Sequence, residues 1–282
     1  MKRDLLRVVL SCALLLTFIS PRALAAQDGE VTAAEEVEAR AFAAAYSDRL
    51  LETHDYAQVV SEMYADGFMA RHLKGGARRA AESADGSEAK TFMLGSITSL
   101  RFKSSLAADA DNENWPRLYA AAHAMMYYGL LAYLSKMENE GVDELDESAY
   151  EAFTRDKYPP EAVKILDANP ALADFVVYKG RAAVVETPED LRAVTLALEE
   201  AARLTRASLA ARMPSSERIE EEMRVSKSLQ AQVDVSLVED VEAFGYPKGT
   251  RLLSVFSAVG YYLILVRDGE KLKVAWLAYP RC

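Results

Sequence analysis

One stretch of this sequence restricts the possible folds more than any other. Residues 118–134 (LYAAAHAMMYYGLLAYL) carry no formally charged side chain at neutral pH, and they contain a single histidine, His123. On a helix, steps of three and four residues place Tyr119, His123 and Tyr127 on one face. Because the stretch is uncharged on all sides, it predicts a central helix enclosed by other elements, running from Asn114 or Trp115 to about Met137.

A membrane-spanning helix is the alternative interpretation of residues 118–134. A span needs roughly 20 apolar residues, and this run of 17 is rich in Ala, Tyr and Gly, which contribute little to insertion. We therefore expect no membrane span once the N-terminal segment described next has been removed.

The N-terminus has the three-part layout of a secretory signal peptide. Basic residues precede an uncharged apolar run at 8–19, and small residues at Ala23 and Ala25 suit a signal peptidase. We predict that residues 1–25 are the signal peptide, with cleavage after Ala25 or Ala26, and that the protein is periplasmic or secreted. The alternative is a lipoprotein, because residues 9–12 (VLSC) loosely resemble a lipobox.

Export would change the charge and the cysteine count of the chain. Residues 1–25 hold four basic residues and one acidic residue, so their removal takes the net charge from −10 to −13. A charge of this sign repels phosphate backbones, so we expect no nucleic-acid partner. Cys12 would leave with the signal peptide, and Cys282 would remain either as an unpaired thiol or as the link of a disulfide-bonded dimer. Non-reducing electrophoresis distinguishes the two.

The rest of the chain predicts helices first and strands last. Asp55 suits the N-cap of a helix over 56–72, and Thr187-Pro188-Glu189-Asp190 is a typical helix start. Beyond residue 230 the apolar residues alternate, and Asp268-Gly269 is a hairpin signal. We therefore predict a single α+β domain over 26–282, helical over 32–230 and β-rich over 231–280, with a three- to four-stranded antiparallel sheet at its C-terminus.

Both ends of this domain resemble the NTF2-like superfamily. Phe42–Leu51, Asp55 and Tyr56–Phe68 are similar to the opening helices of that family. Residues 263–269 (LILVRDG), followed by 271–279, are similar to its closing strands. The resemblance covers about a third of the chain and implies strands around a conical pocket. It carries over no catalytic residue.

His123 is the one candidate for chemistry that the sequence offers. Tyrosine hydroxyls one turn to either side, from Tyr119 and Tyr127, would tune its imidazole for proton transfer. The alternative is a core histidine whose nitrogens bond to a tyrosine or a backbone carbonyl. These same three residues are our candidate ligand-binding residues.

Other chemical motifs are absent from the sequence. The three histidines are scattered singly, without the spacing of a zinc site. The acidic run at 109–113 fails as a calcium loop because Asn114 and Ala120 stand where glycine and glutamate are required. No nucleophile elbow, phosphate loop or dinucleotide fingerprint occurs, so we expect neither metal nor cofactor.

Together these observations favour a non-catalytic module that binds a small molecule or a protein partner between its long helices and its sheet. The alternative is a small-molecule enzyme in which His123 acts as acid and base within an apolar, tyrosine-lined pocket.

Overall fold

The computed structural model describes residues 29–74, 89–93, 99–109, 111–176 and 180–278. The predicted signal peptide, Cys12 and Cys282 lie outside these residues. Within them the fold is α+β, with a helix-rich body followed by a four-stranded antiparallel sheet. The predicted fold class is therefore confirmed.

The elements follow one another along the chain, numbered here in order. The helices are α1 (Ala33–Thr53), α2 (Tyr56–Met63), α3 (68–74), α4 (Ser104–Ala108), α5 (Asn114–Glu140), α6 (Glu147–Asp156), α7 (Pro160–Ala168), α8 (Pro188–Ala210) and α9 (Ser216–Gln232). The strands are β1 (Ala89–Met93), β2 (Ser99–Lys103), β3 (Val184–Val185), β4 (Ser236–Leu237), β5 (Leu252–Phe256), β6 (Tyr262–Asp268) and β7 (Lys271–Ala278). Short 3₁₀ turns lie at Pro170–Leu172 and Val241–Phe244.

The predicted central helix is α5, which packs along α8 and against α2. Most of its residues between Trp115 and Met137 are buried. The start of α8 is set by a reciprocal capping box, in which Thr187 accepts from the Asp190 backbone and the Asp190 carboxylate accepts from the Thr187 backbone. Buried hydroxyls on α8 are satisfied locally, since that of Thr205 donates to the carbonyl of Ala201 at 2.7 Å.

The helix predicted over 56–72 is interrupted in the structure. Tyr64 leaves the helical conformation and pairs with Val274 of β7, and the Ala65 N–H donates to the Val274 carbonyl at 2.9 Å. Gly67 takes a positive φ of 66°, which glycine adopts without a steric penalty. The apolar spacing continues across the break, so the sequence pattern alone shows no interruption.

The C-terminal sheet has the strand order β4-β5-β6-β7, and both of its faces are covered. On β6, Leu263 and Leu265 face the helical body, whereas Ile264 and Val266 belong to a second apolar cluster under residues 238–246. This alternation has the period of two that a strand requires. The predicted Asp268-Gly269 hairpin joins β6 to β7.

A second, smaller sheet lies within the range predicted to be helical. Strands β1 and β2 are antiparallel, and β3 joins β2 in parallel over two residues. No strand is predicted there from the sequence: β1 (AKTFM) does not alternate cleanly and β3 spans two residues, although β2 (SLRFK) does alternate polar and apolar side chains.

Candidate functional site

His123 lies in the middle of α5 and is almost completely buried, with 4 % of its surface exposed. Its ring stacks on Tyr56 of α2 at a centroid distance of 5.3 Å and contacts the ring of Tyr119 at 4.1 Å. Burial lowers the pKa of His123 to about 3, because a charged imidazolium would lose its hydration there. The imidazole is therefore neutral at physiological pH.

Four buried tyrosines bring their hydroxyl groups together beside His123. The Oη atoms of Tyr46 and Tyr56 are 3.1 Å apart, as are those of Tyr56 and Tyr64, while Tyr119 contacts Tyr64 at 3.4 Å. Burial raises the pKa of Tyr46 to about 12 and those of Tyr64 and Tyr119 further, so all three are neutral. This hydroxyl cluster joins α1, α2 and α5. Each hydroxyl in it has another buried tyrosine hydroxyl as its hydrogen-bond partner.

Tyr127 lies two turns from Tyr119 on α5, and its hydroxyl contacts His54, which is outside the hydroxyl cluster. Its Oη is 2.8 Å from Nδ1 of His54, at the junction of α1 and α2. The neighbouring Tyr128 hydroxyl donates to the His54 carbonyl at 3.2 Å. Burial, with a smaller effect of the nearby Arg206 charge, lowers the pKa of His54.

Two of the three predicted site residues therefore meet as a pair. Tyr119 and His123 are in contact within the core, and the Tyr127 hydroxyl bonds to His54. Ligand contact by these residues stays a prediction. Histidines also stack on other aromatic rings in this fold. His123 stacks on Tyr56, and His72 stacks on Trp276.

An apolar cavity of about 150 Å³ lies beside Tyr127, between α5, α9 and the turn that joins β5 to β6. We call it the junction cavity. It is lined by Leu51, Tyr127, Leu130, Leu131, Leu134, Ile219, Glu222, Met223, Ser226, Ala258, Val259 and Tyr261. Tyr127 is thus the predicted site residue that reaches this space, and Tyr119 and His123 are not among its lining residues.

The outer wall of the junction cavity is α9, which is held by few buried contacts. Among its 17 residues only Ile219 and Met223 are buried. At its C-terminal end, Arg40 of α1 donates to the carbonyls of Gln230 and Val233. Elements with few buried apolar contacts open at low free-energy cost, so we expect α9 to open more readily than α5, most of whose residues are buried.

The part of the cavity that comes from α9 and the β5–β6 turn is not predicted from the sequence. These segments meet α5 only in the folded chain, so no local spacing reveals them. One signal was available: the turn residues Ala258-Val259-Gly260-Tyr261 are apolar, whereas turns are usually polar. An apolar turn indicates that another element covers it.

The acidic run before α5 has a structural role in this fold. The side-chain oxygen of Asn112 accepts from the Asn114 N–H at 3.0 Å, and the indole N–H of Trp115 donates to the Asp109 carbonyl at 3.1 Å. In the part of the chain that the structure describes, no group of three or more His, Cys, Asp or Glu side chains is placed to hold a metal ion. No helix among the described residues has both the length and the apolar character needed to cross a bilayer.

Comparisons with known proteins found no relative of this chain. No protein-family model matches the chain, and neither the curated proteins nor the solved structures contain a match. The resemblance to the NTF2-like superfamily accordingly stays a prediction from sequence.

Proposed function

We propose that the protein is an exported, non-catalytic binding module whose small-molecule ligand occupies the junction cavity. The observation that supports this is an apolar, partly open space between the long helices and the sheet, lined by Tyr127 on one side and by the thinly anchored helix α9 on the other. Small-molecule sites are concave, mainly apolar and often lie between packed helices.

The size and lining of the cavity favour an uncharged ligand group about as large as a benzene ring. An apolar protein cavity of about 150 Å³ binds benzene, because it offers dispersion contacts that water would not replace. The ionisable residue among those lining the cavity, apart from the two tyrosines, is Glu222. Its negative charge disfavours an anionic ligand.

The enzyme alternative has less support from the geometry. A general acid or base must lie within hydrogen-bond reach of its substrate. His123 is sealed under aromatic rings and is not part of the cavity wall. Its lowered pKa would also leave it a poor acceptor of protons near neutral pH.

Benzene binding to the mature chain tests the proposal. We expect benzene-saturated buffer to raise the thermal unfolding midpoint by about 2–5 °C, since a ligand that binds only the folded state stabilises it. Ser226→Phe, which fills the cavity from α9, should abolish this shift. Ser228→Phe is the matched control, because residue 228 is exposed on the same helix and is not among the cavity-lining residues.

Two results would contradict the proposal. The first is an unchanged midpoint of the unsubstituted chain in benzene. The second is an equal shift in the Ser226→Phe and Ser228→Phe variants, which would place benzene elsewhere. Benzoate serves as a charge control and should shift the midpoint less than benzene.

Export is tested separately on the full-length chain. After expression in a bacterium, we expect the protein in the periplasmic or culture fraction, with a mature N-terminus at Ala26 or Gln27. An intact Met1 in the cytoplasmic fraction would contradict export, and a lipid-modified Cys12 would support the lipoprotein alternative.

A further inference from the structure

The junction cavity is polar on one side only. Apart from two tyrosines, the polar side chains that line it come from α9, and they are Glu222 and Ser226. These two residues are four positions apart, so they lie on the same face of the helix. On the α5 side, the Tyr127 hydroxyl already has a ring nitrogen of His54 as its partner at 2.8 Å. The cavity is therefore apolar towards α5 and offers hydrogen-bond acceptors along α9.

Glu222 brings an uncompensated negative charge to the edge of this cavity. Its side chain lines the cavity and is exposed, so the carboxylate lies at the boundary with solvent. Among the residues that the structure describes, none forms a hydrogen bond or an ion pair with this carboxylate. On the facing helix α5, Lys136 pairs with Glu140 at 2.7 Å.

The basic residues of α9 are directed elsewhere. Arg218 lies 3.7 Å from the carboxylate of Asp143, and Arg224 pairs with Glu221 at 2.7 Å. Lys227 is five positions beyond the carboxylate that lines the cavity, which places it about 140° around the helix axis. A positive group that completes this site is therefore expected from the ligand.

We propose that the junction cavity binds a primary amine with a small apolar group, in its ammonium form. The apolar group fills the cavity, and the ammonium donates hydrogen bonds to the Glu222 carboxylate and the Ser226 hydroxyl at the edge. The rings of Tyr127 and Tyr261, which line the same space, attract a cation that lies over them. The net charge of the whole sequence, −10, also favours the approach of a cation. This inference rests on the proposed function and names the class of its ligand.

Calorimetric titration at pH 7 with two probes of similar size tests the inference. Benzylammonium and benzyl alcohol carry the same ring on the same carbon, and they differ in charge. The mature chain should bind benzylammonium at least about threefold more tightly, which is the scale of one exposed ion pair. The preference should shrink in 1 M NaCl, because salt screens charges beyond about 3 Å.

Variants assign the preference to one carboxylate. Glu222→Gln keeps the shape of the side chain and removes its charge, so both probes should bind with affinities within about twofold of each other. Glu220→Gln is the matched control, because residue 220 is an exposed glutamate of the same helix and is not among the cavity-lining residues. This control should keep the preference for benzylammonium. Ser226→Phe, which fills the cavity, should abolish binding of both probes.

The outcomes separate this inference from the proposed function. Equal affinities of the two probes for the unsubstituted chain, or equal losses of preference in Glu222→Gln and Glu220→Gln, would overturn the amine assignment. The proposed function would stand in both cases, provided that benzyl alcohol binds and Ser226→Phe abolishes its binding. Benzylammonium binding that survives in Ser226→Phe would place the amine outside the cavity and overturn the inference. If neither probe binds the unsubstituted chain, both the inference and the proposed function fail.

Discussion

Helix α5 has two uncharged faces that differ in packing: one is filled by aromatic side chains, and the other borders open space. On one face, Tyr119 and His123 pack into aromatic neighbours, and both are nearly inaccessible to solvent. On the other face, Ala120, Ala121 and Ala124 form the floor of an open groove between α2, α5 and α8. Both faces come from the same 17-residue run without a formal charge.

The difference shows that chemically conspicuous side chains and available space need not coincide. Large aromatic rings fill the volume around His123 and bury its imidazole, which is the candidate for chemistry that the sequence offers. The alanines offer no chemistry of their own, but their small size leaves open space between the helices. Four predictions test this contrast, from the largest expected effect to the smallest.

Truncation of the aromatic face should have the largest effect on stability. Tyr119 has no exposed surface, and its hydroxyl contacts that of Tyr64. Tyr119→Ala should therefore lower the free energy of unfolding by about 3–5 kcal/mol, through lost packing and a residual cavity. Urea denaturation measures this loss. Tyr119→Phe isolates the hydroxyl and should cost about 1 kcal/mol; a loss this small in Tyr119→Ala as well would mean that the face is not tightly packed.

His123 should make the folded state sensitive to acid. Its folded pKa of about 3 lies below the ordinary value of 6.5, so the unfolded chain binds a proton first as the pH falls. The stabilisation is complete above pH 6.5 and is lost progressively towards pH 3, by up to roughly 5 kcal/mol.

His123→Phe keeps an aromatic ring in the stack and removes the titration. We expect the variant to lose less stability than the unsubstituted chain between pH 6.5 and pH 4, as measured by urea denaturation at each pH. Carboxylates with lowered pKa values, such as that of Glu35, contribute acid sensitivity to both proteins, so the difference isolates His123. Parallel pH profiles would show that His123 is not sealed from solvent.

The sequence predicted the parts of this fold that local chemistry determines. The helix start at Thr187 and the Asp268-Gly269 hairpin each depend on only a few residues, and both occur where they were predicted. The central position of α5 followed from the uncharged run, because such a helix can avoid water only by being enclosed. The change from helical to alternating period near residue 230 located the C-terminal sheet in the same way.

The remaining features depend on residues far apart in sequence. The break after α2 results from pairing between Tyr64 and Val274, and Tyr127 meets a histidine 73 positions away. The junction cavity likewise requires α9 and the β5–β6 turn to meet α5. Sequence spacing identified Tyr119 and His123 as neighbours on one helix face, but it could not show that aromatic rings from α2 would seal them.

Neighbouring alanines on α5 should respond differently to the same enlargement. Ala122 and Ala121 both belong to the main core, but Ala122 has no exposed surface, whereas Ala121 is 5 % exposed and also lines the groove. Ala122→Leu should cost about 1–3 kcal/mol by overpacking, and Ala121→Leu should cost less than about 1 kcal/mol because the added carbons enter open space. Thermal unfolding of both variants measures the difference. Equal losses would show that the floor of the groove is as crowded as the core.

The rim of the groove should contribute least to stability. Arg117 of α5 and Glu199 of α8 form an ion pair at 2.6 Å, with 41 % and 35 % of their side-chain surfaces exposed. Because water and salt screen such a pair, Arg117→Gln should lower the free energy of unfolding by less than about 1 kcal/mol, and the difference should shrink further in 1 M NaCl, where charges are screened beyond about 3 Å. Arg224→Gln on α9 provides the reference for an exposed pair within one helix. A loss above about 2 kcal/mol in Arg117→Gln alone would mean that this pair holds α5 to α8. Arg117 would then be needed to hold α5 and α8 together, and its guanidinium would have little freedom to bind another anion.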